Sequence, residues 1–478
     1  MARENGLRFK LVYSNWHSID RHSFPMPNGL HSTYVDYLRN LADQKGEMIL
    51  LNQFRSHEEI DRTFQKPKSA NVFRHSNFVG YFSRIYGRES LVKDSDVVLD
   101  DDLIYLYPYE LEMSAARIAA EGTEIESNGI QYNYNIEDVI SPLSLDLMRK
   151  GKLKVIFSNI VDPCHSQDYC EKITQRFVNV GVDAKNVIFI QGNIPNYYFE
   201  YNDNNHGVYL RSILSIVQAA ENYNKYPCPT GLGYVSDVVR PNDLDVNKIR
   251  SKKFLCFNRS MNRGHRLGIF RLALKHNLLS SSIFSFVTNL NKDNFRNDLI
   301  AYCDQDDDVD YYADKIYQLM PYELDTQHLT DDEKQSFQTV DLNKKEYYEN
   351  TYIHIVSETQ FSSELNAFIS EKTWRPILNL QPFVYIGNYK ALETLKDLGF
   401  KTFHPLINED YDNIINPLDR FKKIEQEIVR LNSMTVNELH NLYYSLKDIL
   451  LHNQDLISQQ QHYNILTELH KLESIYGN

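Results

Sequence analysis

The sequence predicts an α/β protein of two domains followed by a helical tail. Three observations lead to that class. Apolar runs of strand length alternate with amphipathic stretches of helical period through most of the chain. A polar stretch from Tyr226 to Asn247, holding Pro227, Pro229, Gly231, Gly233 and Pro241, interrupts the alternation and has the composition of a linker. From Pro417 onward the pattern is wholly helical. The expected domains are 1–240, 241–415 and 416–478, consistent with the two to four domains that 478 residues suggest.

In the first domain, Phe9–Tyr13, Met48–Leu51 and Val97–Leu99 are candidate strands. A clearer unit follows. Leu153–Asn159 reads as a strand, Asp168–Val180 as a helix with Ile173, Phe177 and Val180 as its apolar positions, and Val187–Ile190 as a second strand. That order and spacing predict a parallel βαβ unit. In the second domain the strands are Phe254–Phe257, Tyr352–Val356, Phe383–Ile386 and the short Lys401–Phe403. Helices are expected over His265–Asn277, Glu371–Leu380 and Tyr389–Leu398, the last closed by Gly399. In the tail, Phe421, Ile424, Ile428 and Leu431 share one helix face. Thr435 and Glu438 form a capping box, in which each side chain satisfies a backbone N–H left free at the helix start.

Composition narrows the function classes. Hydrophobic residues make up 42% and charged residues 24%, as in a globular protein and unlike a disordered one. Lys plus Arg is 51 against 64 for Asp plus Glu, a formal charge of −13. Such a surface is a poor match for nucleic acid or an anionic membrane as a whole, though a local basic patch is compatible with either. No apolar run approaches the ~20 residues that span a bilayer. The charged beginning of the chain lacks the apolar stretch of a signal peptide, so a cytoplasmic protein without a membrane span is expected. The cysteines are Cys164, Cys170, Cys228, Cys256 and Cys303, an odd number in a long chain. Cys164, His165 and Cys170 fit no common zinc spacing, so neither a disulfide framework nor a metal site is expected.

Two stretches carry chemistry. In Ser370-Glu371-Lys372-Thr373-Trp374-Arg375-Pro376, Ser370 is a suitable N-cap. A helix start presents unpaired N–H groups and the positive end of a dipole, which favours a phosphate. Lys372 in the first turn works against that dipole, and a bound anion explains it better than helix stability does. Glu371 is placed to accept hydrogen bonds from a ribose diol. The second stretch, Asn258 to Arg266, links a strand to a helix start and includes Arg259 and Arg263. It lies within Val246–Asn291, which holds nine basic residues and no acidic one. In a chain this acidic, that excess predicts an anionic ligand, and Arg suits a diphosphate through paired hydrogen bonds. The plainer alternatives are a capped surface helix and a solvated basic face.

Together these stretches resemble the donor domain of GT-B-fold glycosyltransferases, most closely the α1,3-fucosyltransferase-like group. Asn258 and Arg266 match its Asn after the first strand of the second domain and its Arg in the next helix. Glu371-Lys372-Thr373-Trp374 matches its Glu-Lys-Leu-Trp/Phe run. Val356-Ser357-Glu358-Thr359 takes the place of its Phe-Glu-Asn strand end, with Thr for Asn. Pro382–Gly387 resembles the following strand, and Leu395–Phe403 resembles virus- and phage-encoded relatives. The resemblance covers about residues 250–410; the first half of the chain matches no known pattern.

The resemblance implies two Rossmann-like domains facing a cleft and a nucleotide-diphosphate sugar, UDP- or GDP-linked, held by the second. Arg266 and Lys372, with Asn258, Arg259 and Arg263, would bind the diphosphate, and Glu371 the ribose. Glu358, Ser370 and Thr373 would line the pocket. No cofactor and no metal are implied, because cations and a helix start stabilise the leaving group. The acceptor would be a glycan or another hydroxyl. A general base should come from the first domain, with Asp162 and His165 the leading candidates, and Asp100–Asp102 or His17, Asp20 and His22 others. Asp100–Asp102 also fits the Asp-x-Asp of metal-dependent transferases, while Asp306–Asp308 reads as a solvated loop. Two alternatives remain open: a DNA-modifying enzyme of a virus or phage, which the negative charge disfavours, and a non-enzymatic carbohydrate-binding or virion protein.

Overall fold

The computed structural model describes residues 9–13, 91–100, 102–110, 125–127, 130–132, 140–159, 167–191, 207–211, 238–258, 263–286, 292–303, 308–323, 345–363, 369–459, 472 and 475–476. The chain forms two compact units, Met1–Leu214 with Pro227–Gly231 and Tyr463–Asn478, and Ser215–Tyr226 with Leu232–His462. Each unit is built on a largely parallel sheet.

The first unit holds strands β1 (Phe9–Tyr13), β2 (Leu91–Lys93), β3 (Ile104–Glu110), β6 (Lys154–Asn159), β7 (Val187–Gln191) and β8 (Val208–Arg211), ordered β2-β1-β3-β6-β7-β8. A separate two-stranded ribbon pairs β4 (Ile125–Ser127) with β5 (Ile130–Tyr132). Helices α1 (Pro142–Arg149) and α2 (Gln167–Asn179) flank β6 in the chain. The anticipated βαβ unit is present: β6 and β7 run parallel, with Val155 opposite Val187 and Phe157 opposite Phe189. Central parallel strands are covered on both faces, which is why β7 reads as an unbroken apolar run. Phe157 stacks on Phe189 at 5.4 Å and meets Phe177 of α2 edge-on at 5.7 Å. Val97–Leu99 is not a strand. It is an irregular stretch with Val98 84% exposed, and the pairing strands are β2 and β3 on either side. Met48–Leu51 lies outside the described residues.

The second unit holds β9 (Lys252–Asn258), β10 (Ile283–Phe286), β11 (Tyr322–Glu323), β12 (Thr351–Ser357) and β13 (Phe383–Ile386), ordered β11-β10-β9-β12-β13. All neighbours are parallel except β11, an antiparallel edge. Its helices are α3 (Gly264–Lys275), α4 (Lys292–Leu299), α5 (Val309–Leu319), α6 (Lys345–Asn350), α7 (Glu371–Leu378), α8 (Ala391–Asp397), α9 (Pro417–Ser433), α10 (Val436–Ser445) and α11 (Lys447–Gln459). As anticipated, Phe421, Ile424, Ile428 and Leu431 form the buried face of α9. The capping box of Thr435 and Glu438 opens α10. Lys401–Phe403 is not a strand. Its backbone is bonded by side chains instead: Asn453 exchanges two 2.8 Å hydrogen bonds with Lys401, and Glu409 accepts from the Phe403 N–H.

Candidate functional site

The strand order defines where a ligand fits in the second unit. β9 and β12 are neighbours, but the chain leaves β9 for β10 on one side and β12 for β13 on the other. Where an open parallel sheet diverges in this way, a crevice forms beyond the carboxyl ends of the strands. Asn258 ends β9, Ser357 ends β12, and Glu358 follows it. The next helices in the chain, α3 and α7, carry the two motif stretches in their first turns.

The start of α7 is tied down by side chains. Ser370 is its N-cap in extended conformation, and its Oγ accepts from the Lys372 N–H at 3.3 Å. Glu358 accepts from the Ser370 N–H at 3.0 Å, the Ser370 hydroxyl at 2.6 Å and the Thr373 hydroxyl at 2.6 Å. The Lys372 ammonium reaches Glu371 Oε1 at 2.7 Å, Ser370 Oγ at 3.3 Å and Thr359 Oγ1 at 3.4 Å. The Glu371 and Lys372 side chains keep 34% and 25% of their surface exposed, so this ion pair is accessible to a ligand. Desolvation raises the pKa of Glu371, but the Lys372 and Arg375 cations outweigh it and hold the carboxyl at about 2. Glu371 is therefore an acceptor at every physiological pH.

The start of α3 meets the same segment. Arg266 is 5% exposed and donates from Nη2 to the Glu358 carbonyl at 3.4 Å. His265 donates from Nε2 to that carbonyl at 3.0 Å, with its ring 5.5 Å from Phe361. Burial, then the Arg266 and Arg263 charges, push His265 down to about 3, so it is a neutral donor. Burial and Arg263 bring Arg266 down to about 10 against the pull of Glu358 and Glu371, which leaves it cationic at neutral pH. Asn258 donates to Cys256 Sγ at 3.2 Å. Its Oδ1 is buried without a hydrogen-bond partner among the described residues. Burial pushes the Cys256 thiol upward, so it stays protonated.

The structure thus brings Arg266, Glu358, Ser370, Glu371, Lys372 and Thr373 together, with Asn258 at the end of the adjoining strand. Glu358, Ser370 and Thr373 are at most 2% exposed, so they stand behind the helix start and support it. Arg263 takes the N-cap position of α3 and is exposed. Arg259, Asp162, His165, Asp101, His17, Asp20 and His22 lie outside the described residues. Asp100 accepts from the Asp102 N–H at 2.9 Å, a local turn, and Asp308 is the N-cap of α5. Among the described residues no cluster of His, Cys, Asp and Glu is arranged to hold a metal ion.

Much of the basic excess has another use. Lys253 donates to the Asn432 and Met434 carbonyls at the end of α9, where a cation complements the dipole. Arg250 lies 3.9 Å from the Tyr443 ring centroid and bonds the Tyr348 and Thr351 carbonyls. Arg271 pairs with Glu425, Lys248 with Glu349, and Lys252 bonds the Ser280 carbonyl. The local excess of positive charge is therefore largely structural, and the inference of an anion site rests on Arg266 and Lys372. From the sequence, His265 stands only as a helix start and Thr359 only as the residue in place of an Asn; their contacts to Glu358 and Lys372 come from the fold.

Two solved structures align with the chain along nearly its whole length. One is an α,α-trehalose-phosphate synthase (UDP-forming) from Burkholderia vietnamiensis, 10% identical, with a TM-score of 0.34 over 98% of this chain and 99% of that one. The other is an α,α-trehalose 6-phosphate synthase from Burkholderia multivorans, 10% identical, with a TM-score of 0.37 over 98% of each chain. Likeness at this level speaks to neither activity nor substrate. No family of known proteins and no curated protein matches the chain.

Proposed function

We propose that the second unit binds a nucleotide-diphosphate sugar and that the chain is a glycosyltransferase of GT-B type, transferring a hexosyl or fucosyl group to a hydroxyl acceptor. One observation carries this reading. Two helix starts, each bearing a cation, meet the Glu358–Thr359 segment where the chain leaves the neighbouring strands β9 and β12 for opposite sides of the sheet. A diphosphate at that place would be held by the Arg266 guanidinium and the Lys372 ammonium, at the positive end of the α7 dipole.

The chemistry follows from charge. As the glycosidic C–O bond breaks, negative charge builds on the leaving diphosphate. Cations aimed at it then stabilise the transition state more than the bound substrate. Arg266 is fixed by burial and costs little reorganisation. Lys372 supplies a second cation with a quarter of its side chain exposed. On this reading these groups take the part a metal plays in other transferases, and Glu371 accepts from the ribose diol. The resemblance to virus- and phage-encoded relatives and the cytoplasmic setting belong to the same proposal.

The test is a screen of UDP- and GDP-sugars by thermal shift, followed by nucleotide release from any that binds. A ligand at a hundredfold its Kd adds about 2.7 kcal/mol of stability, which raises Tm visibly. The absence of a shift with every nucleotide and nucleotide sugar would falsify the reading.

A further inference from the structure

Glu358 is wholly buried, and its side chain accepts from hydroxyls and an N–H, Ser370 N, Ser370 Oγ and Thr373 Oγ1, while its charge also acts on Arg266. A buried carboxylate is costly unless several donors satisfy it. Those donors all belong to the cap and first turn of α7. The carbonyl of the same residue accepts from His265 and Arg266 in the first turn of α3. Its own N–H donates to the Ile386 carbonyl at 2.9 Å, which fixes it to the end of β13. One residue therefore touches the sheet edge and both helix starts.

We propose that Glu358 is a positioning residue: its carboxylate and its carbonyl hold the start of α7 and the first turn of α3 in register, and so set the spacing of Lys372 and Arg266. The inference rests on reading those two as the diphosphate ligands. Its charge is the wrong sign for attracting an anion. A carboxylate behind an anion site opposes binding; part of its charge balances Arg266, and its three bonds to the start of α7 set geometry. Ser370 already caps α7, and the bonds from Glu358 act on the cap residue itself and on Thr373 one turn in. They fix where the helix begins.

The two functions of the side chain, geometry and charge, separate by substitution. Glu358→Gln keeps an acceptor for the Ser370 N–H and the Thr373 hydroxyl, and its amide can donate to Ser370 Oγ. Glu358→Ala removes all three bonds. The probes are inorganic pyrophosphate, UDP and GDP, titrated calorimetrically into the full-length chain. Hydrogen exchange is followed at residues 264–267 and 371–374. Glu358→Ala is expected to weaken binding by about tenfold or more, and Glu358→Gln to bind as wild type or more tightly. Exchange in the Ala variant is expected to accelerate in both segments together. Ser370→Ala with Thr373→Val removes the two hydroxyl bonds from the other side and leaves the Ser370 N–H bond; it should change binding and exchange in the same direction, which covers a poorly folded Glu358→Ala. A residue that served stability alone would lower Tm and leave the Kd of the folded fraction unchanged. The proposal is overturned if Glu358→Ala keeps the wild-type Kd, if Glu358→Gln loses as much as Glu358→Ala, or if exchange changes in residues 371–374 alone. Should wild type bind none of the probes, the diphosphate reading falls, and the exchange result decides the positioning role by itself.

Discussion

The helix that carries Arg266 is anchored five residues further on by an ion pair, and that anchor makes a quantitative prediction. Arg271 of α3 is 0% exposed and donates from Nη1 to Glu425 of α9 at 2.6 Å. His276 bonds the other carboxylate oxygen at 2.8 Å, and the Glu425 side chain is 12% exposed. Replacing Glu425 by Gln preserves shape and removes the negative charge, leaving a guanidinium in the low-dielectric layer between α3 and α9. Removing one member of a buried pair costs about 3–5 kcal/mol. The residual exposure of Glu425 points to the lower end, about 3 kcal/mol. For a unit of this size each kcal/mol is worth about 2–4 °C in Tm, so Glu425→Gln should lower the transition of the second unit by about 6–12 °C. Scanning calorimetry of the full chain measures it. The double variant Arg271→Met/Glu425→Leu leaves no charge buried and should recover most of the loss. A Glu425→Gln transition within about 1 °C of wild type, or a double variant as unstable as the single one, refutes the reasoning.

Two further outcomes follow from packing and charge. Gly268 faces α9, and a Cβ there would lie 2.9 Å from both Phe421 Cζ and Tyr302 Cγ. Gly268→Ala should therefore cost about 1–3 kcal/mol by overpacking, read as a lower urea midpoint. Asp412 accepts from the Leu392 and Glu393 N–H groups at the start of α8, and burial, opposed by those bonds, raises its pKa from 3.8 to about 6. A carboxyl whose folded pKa is raised favours the folded state most when protonated. Its contribution is full below pH 3.8 and is lost as pH rises through about 6. Asp412→Asn should flatten the stability profile between those pH values, and an unchanged slope contradicts the assignment.

Local periodicity made the βαβ unit around β6 and β7 legible, because buried parallel strands carry continuous apolar runs and the helix between them shows Ile173 and Phe177 at helical spacing. The capping box at Thr435 was legible for the same reason: both partners lie within one turn. What depends on distant partners was not. Val97–Leu99 has strand composition but pairs with no strand among the described residues. Lys401–Phe403 is bonded by Asn453 and Glu409, which lie further along the chain, and no local pattern announces that. At the site, residue type marked Lys372, since a basic residue in a first helical turn is anomalous by itself, while Arg266 and Glu371 were marked by the motifs that hold them. The role of Glu358 was hidden because its carboxylate is used on Ser370 and Thr373, and only the fold brings these together. The basic stretch shows the limit most plainly. Its charges are evident in the sequence, while their destinations, helix-end carbonyls and Glu425, are not.

The central claim is that Arg266 and Lys372 together grip a diphosphate. Its most direct measurement is isothermal titration of UDP and GDP into wild type, Arg266→Ala and Lys372→Ala. Each charge-assisted bond is worth about 1.5–3 kcal/mol, so each variant should bind the preferred nucleotide about 10- to 150-fold more weakly than wild type, with the buried Arg266 the more costly to lose. Variants that bind as tightly as wild type would contradict the account.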